Sequence, residues 1–296
     1  MSTALAALFA AVFCMACAGC SNKRAADTKS AGAAPVKPAG VSVTRSVSLP
    51  VQVVPDPSKG SADPAVLTIT EADDDEPAEG PSTFDVRPDK GFVVADPLRQ
   101  RVVFYDAAGK YQQELLLSMA PQHVRVLPDN ALSIVRYETG QRYIYEMDAA
   151  GQYKAPRLAT PSDPDLDAED AGESNLNGPQ SGIVRPLSRP GTEVAPVAIR
   201  FDRPGENMVS LRRLGTDRGN HTYVLIEASA PSDTVAVETA VRKYTAGREA
   251  GEIADLNDDY LVNPEDALRV RDGFVYQLVP KSNEVRINIW DTSSIP

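Results

Sequence analysis

FDVRPDKGFVVADPLRQRVVFYDAAGKYQQELLL, residues 84–117, holds four short strand signals separated by turn signals. The strands are predicted at Phe84–Arg87, Gly91–Ala95, Arg101–Tyr105 and Tyr111–Leu117. Phe92-Val93-Val94 and Val102-Val103-Phe104-Tyr105 are continuous apolar runs, β-branched and aromatic, bounded by Asp, Pro and Gly. Runs of that length and composition suit strands covered on both faces. The turns fall at Pro88-Asp89-Lys90, at Asp96–Gln100 and at Asp106-Ala107-Ala108-Gly109, where Gly109 supplies the residue tolerant of positive φ.

The phrase recurs along the chain. Asp106-Ala-Ala-Gly-Lys-Tyr111 reappears as Asp148-Ala-Ala-Gly-Gln-Tyr153, 42 residues later. That spacing lies within the roughly 40–50 residues of a propeller blade. Arg101-Val-Val-Phe-Tyr-Asp106 returns as Arg286-Ile-Asn-Ile-Trp-Asp291, and Arg142–Asp148 is the same phrase with one extra residue. Arg242-Lys-Tyr-Thr-Ala-Gly247 is a degenerate copy. An Arg heading a strand is expected to pair with turn carbonyls and acids of its own blade, a structural role. The reading is all-β, a β-propeller of five or six blades. Four blades are expected at 84–117, 122–158, 208–256 and 264–292, with a divergent one around 181–204.

These residues resemble the NHL-type repeats of six-bladed propellers, well over 84–153, partially over 205–292 and poorly over 155–204. The resemblance implies a closed ring of four-stranded sheets and leaves function open, because such rings host many unrelated activities.

Residues 1–19 carry no charged side chain, and Thr3–Ala16 is an apolar run. Its length is that of a signal-peptide core, too short to span a bilayer. Cys17-Ala18-Gly19-Cys20 resembles a bacterial lipobox, which implies a diacylglycerol on the Cys20 thiol and a palmitate-bearing, membrane-anchored mature chain. Cys17 stands where Leu is usual, and no Lys or Arg precedes the apolar core. Lipid on Cys17 is one alternative, and a plain secretory leader is another. The three cysteines, Cys14, Cys17 and Cys20, all lie in or at this leader, so no disulfide or cysteine metal site is expected beyond it. In the sorting rule of lipoproteins Ser21 points to the outer membrane. Residues 20–40 form a tether poor in large apolar side chains, with a reach of roughly 25 Å.

The domain proper is expected at 41–296. Residues 41–54 alternate, with Val41, Val43, Val47, Leu49, Val51 and Val53 on one face and Ser and Thr residues on the other, a strand signal at period two. The last blade, with strands at Asp266–Val270, Gly273–Leu278 and Val285–Trp290, lacks a fourth strand. The N-terminal strand is expected to supply it, since an unpaired edge invites aggregation. A free N-terminal strand is the alternative.

Residues 71–79 and 163–173 each hold six acids and no base, and these twelve negative charges account for the whole of the net −11. Both read as solvated loops, the second inside an insertion near 156–180. Asp163, Asp165 and Asp167 have the one-three-five spacing of a calcium loop. Ala168 then stands where that loop needs Gly, and Ser174 where it needs Glu. Nucleic acid is disfavoured by the net charge and by the lack of a basic stripe with stacking aromatics. No nucleophile elbow or phosphate loop occurs, and no cofactor is called for. His123 and His221 have no second His or Cys near them in sequence, so a metal site would need both from distant blades. Three functions are compatible with the residues. One is a lipid-anchored envelope module binding a protein or glycan partner, with Tyr137, Tyr143, Tyr153 and loop arginines as contacts. Another is a metal-dependent funnel-site hydrolase or lyase drawing on residues such as Glu138, Asn220 and Asn283. The third is a structural spacer.

Overall fold

The computed structural model describes residues 40–72, 77–166, 172–185, 196–203, 205–229, 237–253 and 256–295. The leader, Cys20 and the tether up to residue 39 lie outside them; residue 40, expected as the end of the tether, already belongs to a strand. The described chain is all-β, and its short helices are single 3₁₀ turns.

The opening stretch folds as one four-stranded antiparallel sheet, Phe84–Val86, Phe92–Asp96, Arg101–Tyr105 and Tyr111–Leu116, in chain order (sheet 1). Its two central strands are buried at every residue, on both faces, as their unbroken apolar runs require. Pro121–Val126, Leu132–Arg136, Arg142–Tyr145 and Arg157–Leu158 repeat the arrangement (sheet 2). Glu173–Gly178, Ser181–Arg185 and Val197–Arg200 form a three-stranded sheet (sheet 3). Asn207–Thr216, Thr222–Ser229, Val237–Thr245 and Arg248–Ile253 form sheet 4; Leu268–Arg271, Phe274–Pro280 and Val285–Asp291 form sheet 5.

The repeated turns are the same object twice. Asp106 accepts from the backbone N–H of Ala108 and of Lys110, both at 2.9 Å. Asp148 accepts from Ala150 at 2.8 Å and Gln152 at 2.9 Å. Gly109 and Gly151 follow at φ 83° and 78°, in the region open to glycine at little cost. Arg101 and Arg242 pair with acids of their own sheets, as expected, but the carbonyls that the repeat arginines reach lie in other segments. Buried Arg101 pairs with Asp96 and Glu114 and donates to the carbonyls of Pro64 and Val66. Arg242 pairs with Glu249 and Glu252 and donates to the Arg200 carbonyl. Arg142 donates to the carbonyls of Pro164 and Asp163.

The N-terminal segment pairs with the C-terminal strand. Arg45–Leu49 runs antiparallel to Val285–Asp291, with Arg45 opposite Ile289 and Leu49 opposite Val285. Val47 and Leu49 are buried while Ser46 and Ser48 face out. The alternation does not continue as one strand, however. Proline lacks the N–H a ladder needs, and the strand ends at Pro50. Val51–Val54 instead pairs in parallel with Leu67–Thr70, and Gly40–Val41 adds a fifth strand to sheet 4 beside Glu252–Ile253.

A second correction concerns the insertion. Arg157–Leu158 completes sheet 2, and Glu173–Gly178 opens sheet 3. The second strand is polar and mostly exposed, so it carries no apolar signal. Its pairing is set by the neighbouring Ser181–Arg185 strand.

Hydrophobic cores join neighbouring sheets. Val93, Val102 and Phe104 of sheet 1 pack with Val124, Leu132 and Ile134 of sheet 2. Val184 and Ile199 of sheet 3 pack with Val224 and Ile226 of sheet 4. Tyr223 and Val241 of sheet 4 pack with Val275 and Trp290 of sheet 5. Tyr276 and Ile287 of sheet 5 pack with Phe92 and Val103 of sheet 1. Fully burying each such side chain contributes about 1.5–3 kcal/mol.

Candidate functional site: an arginine-lined cavity

Four sheets present a similar tripeptide on a strand, a charge between apolar neighbours or beside one. It reads Phe84-Asp85-Val86, Val124-Arg125-Val126, Arg212-Arg213-Leu214 and Leu268-Arg269-Val270. Asp85, Arg125, Arg213 and Arg269 are all buried, each exposing 9% or less of its surface. Burying a charge is costly unless it is paired, and partners are at hand. Arg125 Nε lies 3.3 Å from Asp85 Oδ2, which also accepts from the Val126 N–H at 2.7 Å. Arg269 forms an ion pair with Asp266 and donates to Thr83 Oγ1 at 3.3 Å. Arg213 donates to the Thr216 hydroxyl. Arg212 reaches the other oxygen of Asp266 at 3.3 Å. Burial pushes the Asp266 carboxyl up, and the guanidiniums of Arg269, Arg212 and Arg125 outweigh it, holding the group below its ordinary value.

These side chains wall a cavity of about 590 Å³. Five arginines (125, 142, 212, 213 and 269) face three carboxylates (Asp165, Glu265 and Asp266), with Asp85 behind Arg125 as a fourth. His123 lies in the Pro121–Val126 strand, and its Nε2 is 3.3 Å from Glu265. Arg269 Nε and His123 Nδ1 are buried without a hydrogen-bond partner among the described residues.

The other sequence candidates disperse. Asp163 is held by Arg157 through both oxygens, at 2.7 and 2.8 Å, and accepts from Thr160; that bonding draws its carboxyl well below the usual range. Asp165 lines the cavity, and Asp167 lies outside the described residues. Among the described residues no three His, Cys, Asp or Glu side chains gather as a metal site would need. Glu138 is exposed and pairs with Arg136, Asn220 sits at φ 62° in a turn, and Asn283 is exposed; none lines the cavity. His221 is held by Asp217 at 2.9 Å in a separate cavity of about 280 Å³, whose lining offers no serine or cysteine nucleophile.

Of the three tyrosines, Tyr153 is a packing residue. It stacks on Phe104 with centroids 5.5 Å apart, and its hydroxyl donates to the Asn130 carbonyl. Tyr143 packs against the core between sheets 1 and 2. Tyr137 is 60% exposed and lines a groove of about 230 Å³ with Pro97, Leu98 and Val262, adjoining the arginine-lined cavity at Glu265. A further pocket, about 680 Å³, lies beside Gly40 at the outer edge of sheet 4.

No protein-family model and no curated protein matches the chain. Among solved structures it is similar to β-propeller-like proteins. BamB from Moraxella catarrhalis is 8% identical over 72% of this chain and 86% of that one, with a TM-score of 0.30. Streptogramin B lyase is 10% identical over 71% and 93%, with a TM-score of 0.34. A putative gluconolactonase is 15% identical over 86% and 94%, with a TM-score of 0.29. At these values the likenesses carry nothing about what this chain binds or does.

Proposed function

We propose that the chain is a non-catalytic binding module of the bacterial envelope. Lipid on Cys20 anchors it at the outer membrane. The tether holds it clear of the headgroups, and the five sheets form a propeller closed by the Arg45–Leu49 strand. A protein or glycan partner is engaged on the face where the arginine-lined cavity opens beside Tyr137. Tyr and Arg, with Trp, are the residues enriched at interface anchors.

The observation that carries this reading is the chemistry of the buried strand charges. A funnel-site hydrolase holds a divalent cation with carboxylates and amides. Here the deep carboxylates, Asp85 and Asp266, are already committed to guanidiniums, and the remaining arginines repel a cation. The two deep acids are therefore not available to a metal, which leaves the metal-dependent reading only Asp165 and Glu265 at the cavity wall.

The anchor is tested by expressing the full chain in a bacterial host with labelled palmitate. Label and membrane fractionation are expected for the native chain, with both lost in Cys20→Ala. Label that survives Cys20→Ala and disappears in Cys17→Ala moves the anchor to Cys17. An unlabelled, soluble native chain contradicts the proposal.

A further inference from the structure

We infer that the arginine-lined cavity binds a compact polyanion, a ligand carrying two or more carboxylate or phosphate groups. This rests on the reading above that the cavity face is the binding face, and names the chemistry it recognises. Three observations converge on it. Arginine outnumbers carboxylate, five to three on the wall and five to four with Asp85 behind it. That excess favours an anion, most strongly beside the buried Arg125, Arg213 and Arg269, where screening by solvent is weaker than at the surface. The volume, about 590 Å³, is that of a small-ligand pocket and not of an extended surface. The donors are also incompletely used. Arg269 Nε is buried and 3.9 Å from Asp85 Oδ1, beyond hydrogen-bond reach. Buried polar groups are rarely left so. Arg212 is bonded to Asp266 at 3.3 Å while its side chain stays 41% exposed.

The guanidinium fork matches the paired oxygens of either a carboxylate or a phosphate. Arg212 is the contact residue, since it lines the cavity and its side chain remains partly open to solvent. Arg125 and Arg269 are positioning residues, locked by Asp85 and Asp266, and they set the potential of the cavity wall. Glu265, shared with the Tyr137 groove, opposes the ligand.

The test is calorimetric titration of the full-length chain in mild detergent and metal-free buffer, with citrate, with pyrophosphate, and with acetate at matched ionic strength. One site for citrate, for pyrophosphate or for both is expected, with acetate far weaker. Citrate alone identifies a polycarboxylate, pyrophosphate alone a phosphate ligand. Arg212→Gln is expected to weaken binding roughly tenfold to a hundredfold, the range for losing a charge-assisted hydrogen bond. Its half-exposed position keeps the fold, verified by an unchanged melting temperature. Glu265→Gln is expected to strengthen binding about threefold. No heat with either polyanion, acetate binding equally well, or an unchanged affinity in Arg212→Gln each overturns the inference. Failure here with palmitate labelling intact removes the ligand class and leaves the anchored module standing; loss of the label as well removes both.

Discussion

A Cβ on Gly109 would meet Val47 Cγ1 at 2.6 Å. The first sheet's Asp106–Gly109 turn is therefore pressed against the N-terminal strand that pairs with sheet 5. Gly151, its repeat at φ 78°, has open space where a methyl group would stand, with no neighbour within 4 Å among the described residues. The pair separates two costs, left-handed strain and steric crowding. Gly151→Ala is expected to lose about 1 kcal/mol, the strain alone. Gly109→Ala adds overpacking of about 1–3 kcal/mol. Urea denaturation of both variants measures the difference, and equal losses would show that the turn does not bear on the strand.

Arg101 is the most heavily bonded of the repeat arginines, held by Asp96, Glu114 and two carbonyls. Arg101→Met leaves Asp96 buried and uncompensated, which costs about 3–5 kcal/mol. Asp96→Asn in the same chain is expected to recover part of that loss. Arg157→Met, at an exposed ion pair, is expected to leave the unfolding midpoint nearly unchanged. A small effect of Arg101→Met would mean that the repeat arginine does not hold the 64–66 segment to its sheet.

Burial raises the hydroxyls of Tyr153 and Tyr276 to about 12. Their folded pKa lies above the unfolded value of about 10. The unfolded chain loses these protons first, so the stability they contribute is complete below pH 10 and is lost as pH rises from about 10 towards about 12. Tyr105, Tyr223 and Tyr244 are raised by burial as well. Ultraviolet titration is expected to show these tyrosines ionising together with the loss of the circular dichroism signal. Independent ionisation near pH 10 in a folded chain would contradict their burial.

The strands of sheet 1 are legible because Phe92–Asp96 and Arg101–Tyr105 are covered on both faces, and double coverage writes an unbroken apolar run. The strand pairing of chain ends is legible for a different reason: the last sheet counts three strands, and Arg45–Leu49 alternates. Its break at Pro50 is a matter of one missing N–H, visible in the residue but easily overridden by a continuing Val pattern. Glu173–Gly178 leaves no trace, because a polar exposed strand has no periodicity. The cavity is half-legible. Arg125 and Arg269 sit inside Val-Arg-Val and Leu-Arg-Val, a buried-charge pattern repeated in two sheets. The Pro88-Asp89-Lys90 and Pro128-Asp129-Asn130 turns also match, with Lys90 and Asn130 at φ 65° and 64°. Alternation tells which face a charge occupies but not which charges from different sheets meet, and the pairing of Arg125 with Asp85 depends on the latter.

The proposed anion site predicts no resident divalent metal among the cavity's arginines. Equilibrium dialysis of the full-length chain against calcium and zinc, followed by elemental analysis, tests this most directly. The predicted result is no stoichiometric metal, with Asp85→Asn and Asp266→Asn changing stability and not metal content. One tightly held metal per chain, released by either substitution, would contradict it.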